Sequence, residues 1–318
     1  MLGVLVATLL ALLAALLLAA WVFSERGALL LPSTRAWIEE AGGLRALLTY
    51  DFWHGYVYAR YADMYIGRAM QRLFPRTQPA GDGDPRWAAQ YHGKVLPHEL
   101  ARRLITVDQS IPYRELEQVV PYETARGLVL NAPLEVAAYE CPCRANREHP
   151  CRPTQVCMVM GQPFVDFMLE HHATTTRRLT QDEALELLAG EHQRGHVHVA
   201  YFKDAMLDRF YAICNCCSCC CGGIESMLRC GVPMVMSSGY VAQVDDQLCA
   251  GCGTCADACH FRAVQIGAAG VAQVDAALCM GCGVCESQCP DHVIHLVRDE
   301  QKAPPLDVRS LQLTDGPA

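Results

Sequence analysis

The chain has 318 residues, 19 of them cysteine, with 52% apolar and 19% charged residues and a formal charge of −8. That balance excludes a disordered polyampholyte, a collagen and a basic nucleic-acid-binding domain. Thiols spaced one to four residues apart, odd in total, in a chain long enough to build its own core, point to metal ligation rather than a secreted disulfide framework.

The first predicted element is Leu2 to Phe23, a run of Leu, Ala and Val without a charged side chain. At about 1.5 Å per residue it is long enough to cross the roughly 30 Å hydrocarbon core of a bilayer. It is read as a transmembrane helix, residues 1–23, in preference to a cleaved signal peptide, because a basic n-region is missing. Arg26 and Arg35 follow the helix and no basic residue precedes it. The expectation is a single-pass cell-membrane protein with its C-terminal part on the cytoplasmic side.

Residues 24–111 lack cysteine and are expected to form a helical, aromatic-rich, membrane-proximal region. Leu44 to Phe74 reads as one helix ended by Pro75, carrying Tyr50, Phe52, Trp53, Tyr56, Tyr58, Tyr61 and Tyr65 among Arg60, Arg68 and Arg72. Its aromatic face suits either a membrane interface or a protein core. A Pro, Gly and Asp cluster from Gln78 to Pro85 predicts a loop.

Residues 112–237 are expected to form a mostly helical, cysteine-rich metal or cluster domain. Thr180 with Glu183 is a capping box that starts a helix at Gln181, running to about His192 and finished before Gly195. The candidate metal ligands are Cys141, Cys143, Cys151 and Cys157, then Cys214, Cys216, Cys217, Cys219, Cys220 and Cys221, with Cys230 beyond them. Adjacent cysteines point different ways along a regular backbone, so the second group serves two sites or one larger cluster. Iron–sulfur ligation, zinc and thiol chemistry all remain open here. Arg144 is placed to offset thiolate charge. The histidines His171, His172, His192, His196 and His198 lack a tight ligand spacing and read mainly as surface or core residues.

Residues 238–298 contain an internal repeat. Val241-Ala-Gln-Val-Asp245 recurs as Val271-Ala-Gln-Val-Asp275, and each copy runs into C-x2-C-x2-C-x3-C: Cys249, Cys252, Cys255 and Cys259, then Cys279, Cys282, Cys285 and Cys289. This is the bacterial iron–sulfur spacing, in which closely spaced thiolates wrap one face of a cubane. Gly251, Gly253, Gly281 and Gly283 allow the tight turns this needs. Zinc would not need the third cysteine of each run.

On these motifs the segment resembles a bacterial-type ferredoxin domain with two [4Fe–4S] clusters. The resemblance implies crossed ligation: Cys249, Cys252, Cys255 and Cys289 on one cluster, Cys279, Cys282, Cys285 and Cys259 on the other. His260 stands where the second copy has Pro290, a departure that makes the surroundings of one cluster different. Upstream, Cys-Pro-Cys-Arg and Cys-Asn-Cys-Cys-Ser-Cys-Cys-Cys, with Gly195-His-Val-His and Phe202-Lys-Asp-Ala-Met between them, are similar to a family of bacterial membrane-anchored iron–sulfur proteins. That similarity spans roughly Pro112 to Val297 and implies no particular activity.

The fold expectation is therefore α+β: an N-terminal transmembrane helix, a mostly helical cysteine-rich region and a C-terminal ferredoxin-like two-cluster domain, with residues 299–318 a flexible tail. The functional expectation is a membrane-anchored electron-transfer protein holding two [4Fe–4S] clusters and one or two further cysteine-ligated clusters. A ferredoxin-fed reductase with an unusual substrate-binding cluster and an iron–sulfur redox sensor stand as alternatives. Expected partners are redox proteins and the membrane, with no nucleic acid. An acidic set, Asp245, Asp246, Asp257, Asp275, Glu286 and Asp291 against Arg262 and Arg298, would steer basic redox partners. A phosphate-binding Gly-rich loop, a G-x-S-x-G elbow and a flavin or nicotinamide fingerprint are missing, which argues against a self-contained dehydrogenase.

Overall fold

The computed structural model describes residues 2–25, 30–73, 91–108, 111–113, 128–130 and 134–309. The chain divides into two units, residues 1–49 and 50–318. The loop expected at Gln78 to Pro85 lies outside the described residues.

In the first unit, α1 (Leu2–Phe23) is long and apolar enough to cross a membrane. Helix α2 (Pro32–Glu40) begins with Pro at its first position, and Glu25 secures its start by accepting hydrogen bonds from the Leu31 N–H at 2.7 Å and the Thr34 hydroxyl at 3.1 Å. A 3-10 turn, Gly43–Leu48, follows.

The second unit opens with α3 (Tyr50–Arg60) and α4 (Ala62–Leu73). The expected single helix from Leu44 to Phe74 is thus three pieces. Then come β1 (Tyr91–Leu96), α5 (His98–Ile105), the hairpin β2 (Ile111–Tyr113) with β3 (Leu128–Leu130), β4 (Val136–Glu140), α6 (Pro142–Ala145), β5 (Gln155–Met160), α7 (Phe164–His171), β6 (Thr176–Leu179), α8 (Gln181–Gln193), β7 (Val197–Lys203), β8 (Arg209–Cys216), α9 (Gly222–Cys230) and β9 (Val235–Met236). The capping box on α8 is present as expected, with Thr180 and Glu183 bonding each other's backbone N–H groups.

The cysteine-rich region is not mostly helical. It is organised on a seven-stranded sheet in the order β6-β4-β5-β8-β7-β1-β9, antiparallel except for the short β1–β9 pair. The reason lies in Gln155–Met160, Val197–Lys203 and Arg209–Cys216: β-branched, aromatic and sulfur-bearing residues in short runs, buried on both faces and therefore lacking the polar alternation of a half-exposed strand.

Period-two alternation assigns the two faces. Met158, Met160, Ala200 and Ile213 face a hydrophobic core shared with Leu100 and Leu104 of α5 and Ala184 and Leu188 of α8. Cys157, Cys214 and Cys216 take the opposite face, together with Tyr139 and Tyr201, under α3 and α4. The aromatic series of α3 serves this packing. The Tyr58 and Tyr211 hydroxyls meet at 2.6 Å, the Tyr56 ring stands edge-on to Phe167 at 5.7 Å, and Phe52, Tyr56 and Tyr58 are buried, each worth about 1.5–3 kcal/mol.

The C-terminal part comprises β10 (Tyr240–Val244), α10 (Thr254–Asp257), β11 (Val264–Ile266), β12 (Ala272–Val274), α11 (Val284–Gln288) and β13 (Ile294–Arg298). The first strand of the first copy pairs with the last strand of the second (β10–β13), and the reverse holds for β11–β12. Each copy thus ends inside the other's half. The segment after Arg298, expected to be a flexible tail, is docked as far as Arg309. Leu306 and Val308 are buried in the main core and Arg103 pairs with Asp307 at 2.7 Å. These two apolar side chains, the ion pair and the Lys302 Nζ donation to the Cys279 carbonyl at 2.7 Å anchor the segment together.

Candidate metal centres

The two C-x2-C-x2-C loops are held open by glycines in the left-handed region. Gly251 has φ +66° and Gly281 φ +63°, and a Cβ on either would collide with a backbone carbonyl, that of Gly270 or Tyr240. The two collisions are related by the 30-residue repeat. The same symmetry governs the thiols: the Ala272 N–H donates to Cys249 Sγ and the Ala242 N–H to Cys279 Sγ, each at 3.5 Å. Backbone donors of this kind stabilise negative sulfur and raise a cluster's potential.

Cys249, Cys252, Cys255 and Cys289 line one small cavity. Cys259 lies close enough to Cys282 and Cys285 to interact with them electrostatically, as Cys279 does. Burial pushes the Cys282 thiol up to about 12, while Cys252, exposed and hydrogen-bonded by Thr254, is held below the usual thiol value. His260 is locked on both sides, with Nε2 donating to the Gly195 carbonyl at 2.8 Å and Nδ1 accepting from the Ser218 N–H at 3.2 Å. The departure at His260 is therefore a bridge from the residue next to Cys259 into the upstream cysteine loop.

The ten upstream cysteines separate into two groups. Cys151, Cys217, Cys219 and Cys220 have their sulfurs all within 4.8 Å of one another, with Cys151 and Cys219 at 3.1 Å. A single tetrahedral metal with metal–sulfur bonds of about 2.3 Å needs sulfurs about 3.8 Å apart, so this group has the dimensions for one zinc or iron ion. Burial raises Cys151 and Cys217 to about 12. Cys220 is burdened by burial as well, yet hydrogen bonds from the Cys151 N–H and the neighbouring thiols hold it below the ordinary value.

The other six are Cys141, Cys143, Cys157, Cys214, Cys216 and Cys221. They line a cavity of about 460 Å³ together with Tyr58, Tyr65, Tyr139, Tyr201 and Lys203, and Cys217 and Cys220 of the four-thiol group reach the same cavity. Hydrogen bonds from Cys143 and Cys157 hold Cys141 well below the usual thiol range, and hydrogen bonds from Cys143 and Cys216 do the same for Cys221. Burial and the nearby Asp204 act in opposite senses on Lys203, with burial the stronger, bringing it down to about 8. Cys230 belongs to neither group and packs beside Val232 and Met234.

Between the groups stands Arg144, fully buried. Its guanidinium binds Glu191 Oε2 at 3.0 Å, the Asn215 carbonyl at 3.0 Å and the Pro153 carbonyl at 2.5 Å. Its charge reaches Cys141 and Cys217, as expected from sequence, but its hydrogen bonds join β8, α8 and the loop before β5.

Sequence reading missed His98. With His192 and His198 it forms a group whose ring nitrogens lie within 4.8 Å of one another. His98 and His198 meet at 3.1 Å, and His198 Nδ1 donates to Asn215 Oδ1 at 2.6 Å. The His98 and His192 rings are stacked at 4.2 Å, which sets their edges side by side instead of converging on one point. No spacing signal could have found His98, since it comes from α5 and its partners from α8 and β7.

Glycine-framed thiol loops on paired short strands define the class: an iron–sulfur protein. In particular, the 4Fe–4S binding domain family matches residues 272–295, the stretch holding Cys279, Cys282, Cys285 and Cys289, which supports at least one [4Fe–4S] cluster. No curated protein and no solved structure matches the chain.

Proposed function

We propose that the chain is a membrane-anchored electron-transfer protein whose C-terminal domain holds two [4Fe–4S] clusters by crossed ligation and exchanges electrons with cysteine-ligated centres upstream. The observation that carries this reading is the lining of one small cavity by Cys249, Cys252 and Cys255 of the first copy with Cys289 of the second. The strand exchange between copies supplies a structural cause for that crossing. In this reading the chain's residues position and tune the clusters: thiolates hold them, the Ala242 and Ala272 N–H groups stabilise sulfur charge, and the Ser218–His260 bond ties the ferredoxin half to the loop of Cys217, Cys219 and Cys220. Single-electron transfer is the chemistry such clusters supply when bound.

The helix α1 supports attachment to a membrane, with the C-terminal domains on the cytoplasmic side under the basic-residue bias. Redox proteins with basic surfaces are the proposed partners. Part of the acidic set has internal duties, since Asp245 and Asp275 accept hydrogen bonds from the Gln247 and Ala277 backbones. Glu286 likewise accepts from the Leu296 N–H, which leaves Asp246, Asp257 and Asp291 as the steering charges.

The test is anaerobic purification with iron and sulfide counted per chain and a reductive titration. Cys282→Ala should lose iron and one reduction wave; unchanged iron would defeat the assignment. Removal of residues 2–23 should move the protein from the membrane to the soluble fraction.

The cavity beside the six thiols favours a second reading, a reductase fed by the ferredoxin half, because polar Tyr and Lys203 groups converge there. A spectral change of the upstream centre on adding a small anionic ligand would favour it.

A further inference from the structure

We infer that the two cysteine sites of the repeat have opposite roles. The site of Cys249, Cys252, Cys255 and Cys289 is the port at which the chain meets a redox protein whose cofactor edge is ringed by Lys and Arg. The site of Cys279, Cys282, Cys285 and Cys259 is internal and faces the upstream cysteines. The inference rests on the two-cluster reading above and deepens it by naming which site meets the partner and the surface it presents.

The first argument compares equivalent positions 30 residues apart. Among the described residues Cys252 and Thr254 are exposed, whereas Cys282 is half-buried and Val284 buried; Gly251 and Gly253 are half-buried, whereas Gly281 and Gly283 are buried. Two copies of one motif with the same turn would be equally exposed in an isolated domain. The difference therefore comes from what packs on the second copy.

That cover can be named. A Cβ on Gly195, just past the end of α8, would touch Val284 and Gln288 of α11, and Gln288 Nε2 donates to the Gln193 carbonyl at 3.3 Å. Ser238, in the linker before β10, is buried; its N–H donates to the Met280 carbonyl at 3.0 Å and its hydroxyl to the Gly281 carbonyl at 2.7 Å. His260, next to Cys259, adds its bonds to Gly195 and Ser218. The second site is thus the one joined to the loop of Cys217, Cys219 and Cys220.

The third argument is the chemistry of the exposed side. Ile266 and Asp291 line the same small cavity as Cys252, and Leu248, beside Cys249, is 66% exposed. Asp246 and Asp257 of the first copy are exposed as well, against Arg262. Apolar groups for close approach within an acidic surface fit a transient partner with a basic rim, since the charges steer the encounter and the apolar contact brings the two cofactors near. The second loop carries the opposite sign: Lys302 Nζ donates to the Cys279 carbonyl at 2.7 Å, setting a cation against it. Leu278, the equivalent of Leu248, is itself 51% exposed, so loop burial and the sign of charge distinguish the copies where apolar exposure does not. In each encounter one electron crosses, the site being oxidised as the partner's cofactor is reduced or the reverse, and no bond is made or broken.

The test uses the full chain in detergent, prepared anaerobically, with iron counted per chain. Photoreduced protein is mixed in stopped flow with ferric cytochrome c, a basic haem protein, at several ionic strengths. The rate should fall as salt rises. Asp291→Lys and Leu248→Ser should each slow it about tenfold at low salt with iron content unchanged, while Leu278→Ser stays within about twofold of the parent. Carbodiimide cross-linking of the unaltered chain to cytochrome c, mapped by mass spectrometry, needs no variant to fold and should join Asp246, Asp257 or Asp291. Equal slowing by Leu248→Ser and Leu278→Ser, a rate indifferent to Asp291→Lys, or cross-links confined to Asp275 and Glu286 of the second copy would overturn the port. Iron for a single cluster in the unaltered C-terminal domain defeats the two-cluster reading instead, so the two failures are distinguishable.

Discussion

The Ser218 N–H donates to His260 Nδ1 at 3.2 Å, joining the loop that carries Cys217, Cys219 and Cys220 to the residue that follows Cys259. The imidazole's other nitrogen donates to the Gly195 carbonyl, so a neutral tautomer is held between two backbone groups, and burial keeps its pKa below the ordinary histidine value. His260→Pro, which installs the second copy's residue, removes both bonds. The expected cost is about 1–3 kcal/mol of unfolding free energy from chemical denaturation, with iron content unchanged and, under the proposed function, slower electron exchange between the C-terminal cysteine domain and the upstream cysteine loop. Wild-type exchange kinetics in this variant would remove the bridge from the electron path.

Arg144 and Glu191 are each about 1% exposed and 3.0 Å apart. Arg144→Met leaves the Glu191 carboxylate with only His196 and the half-exposed Arg194 and strips the Asn215 and Pro153 carbonyls of their donor. A loss of about 3–5 kcal/mol in stability is expected, more than for removal of an exposed pair such as Arg177–Glu183. Chemical denaturation of the two variants side by side checks the ranking.

Gly251→Ala and Gly253→Ala look alike in sequence and differ in three dimensions. At Gly251 the new methyl would collide with the Gly270 carbonyl, whereas at Gly253 nothing lies within 4 Å and only the positive φ is strained. Gly253→Ala should cost about 1–2 kcal/mol and retain its iron. Gly251→Ala should displace the loop and lower the iron content, readable from the absorbance of the purified protein.

Burial of His198 lowers its pKa to about 3, and burial with the charge of His192 lowers that of His98 to about 4, from an ordinary 6.5. Between pH 6.5 and about 3 the unfolded chain therefore binds protons that the folded chain refuses. Their contribution is fully present above pH 6.5, is lost as pH falls through that window, and levels off below about 3. Thermal midpoints recorded against pH should show this slope, and His198→Gln should flatten it.

Lys94 on β1 is buried beside Arg298, without a hydrogen-bond partner for Nζ among the described residues, and burial lowers its pKa to about 7 from 10.5. The folded chain releases this proton first, so stability should rise with pH from about 7 to 10.5. Lys94→Met should raise the thermal midpoint at pH 7 and abolish that rise; a midpoint lowered at pH 7 would contradict it.

What sequence alone determined is what a short segment can encode by itself. The two C-x2-C-x2-C-x3-C runs, their repeat, the capping box at Thr180 and the apolar run of α1 are all local, because the relevant ligands, caps or apolar residues sit within one or two turns of chain. The crossing of Cys289 into the first copy's site was legible only through resemblance. Its structural cause, β10 pairing with β13, is a tertiary fact. Sequence placed ten upstream cysteines together and could not divide them. That division depends on β5 and β8 being neighbours, with Cys157, Cys214 and Cys216 on the same face, and on Cys217, Cys219 and Cys220 meeting Cys151, although Cys217 and Cys220 also border the cavity of the other six. The same dependence hid His98, the docking of Leu306 and Val308, and the strand character of runs buried on both faces, whose periodicity vanishes when neither face meets water. Register and burial are properties of the assembled sheet, set by pairing between segments far apart in the chain, and only the tertiary structure could decide them.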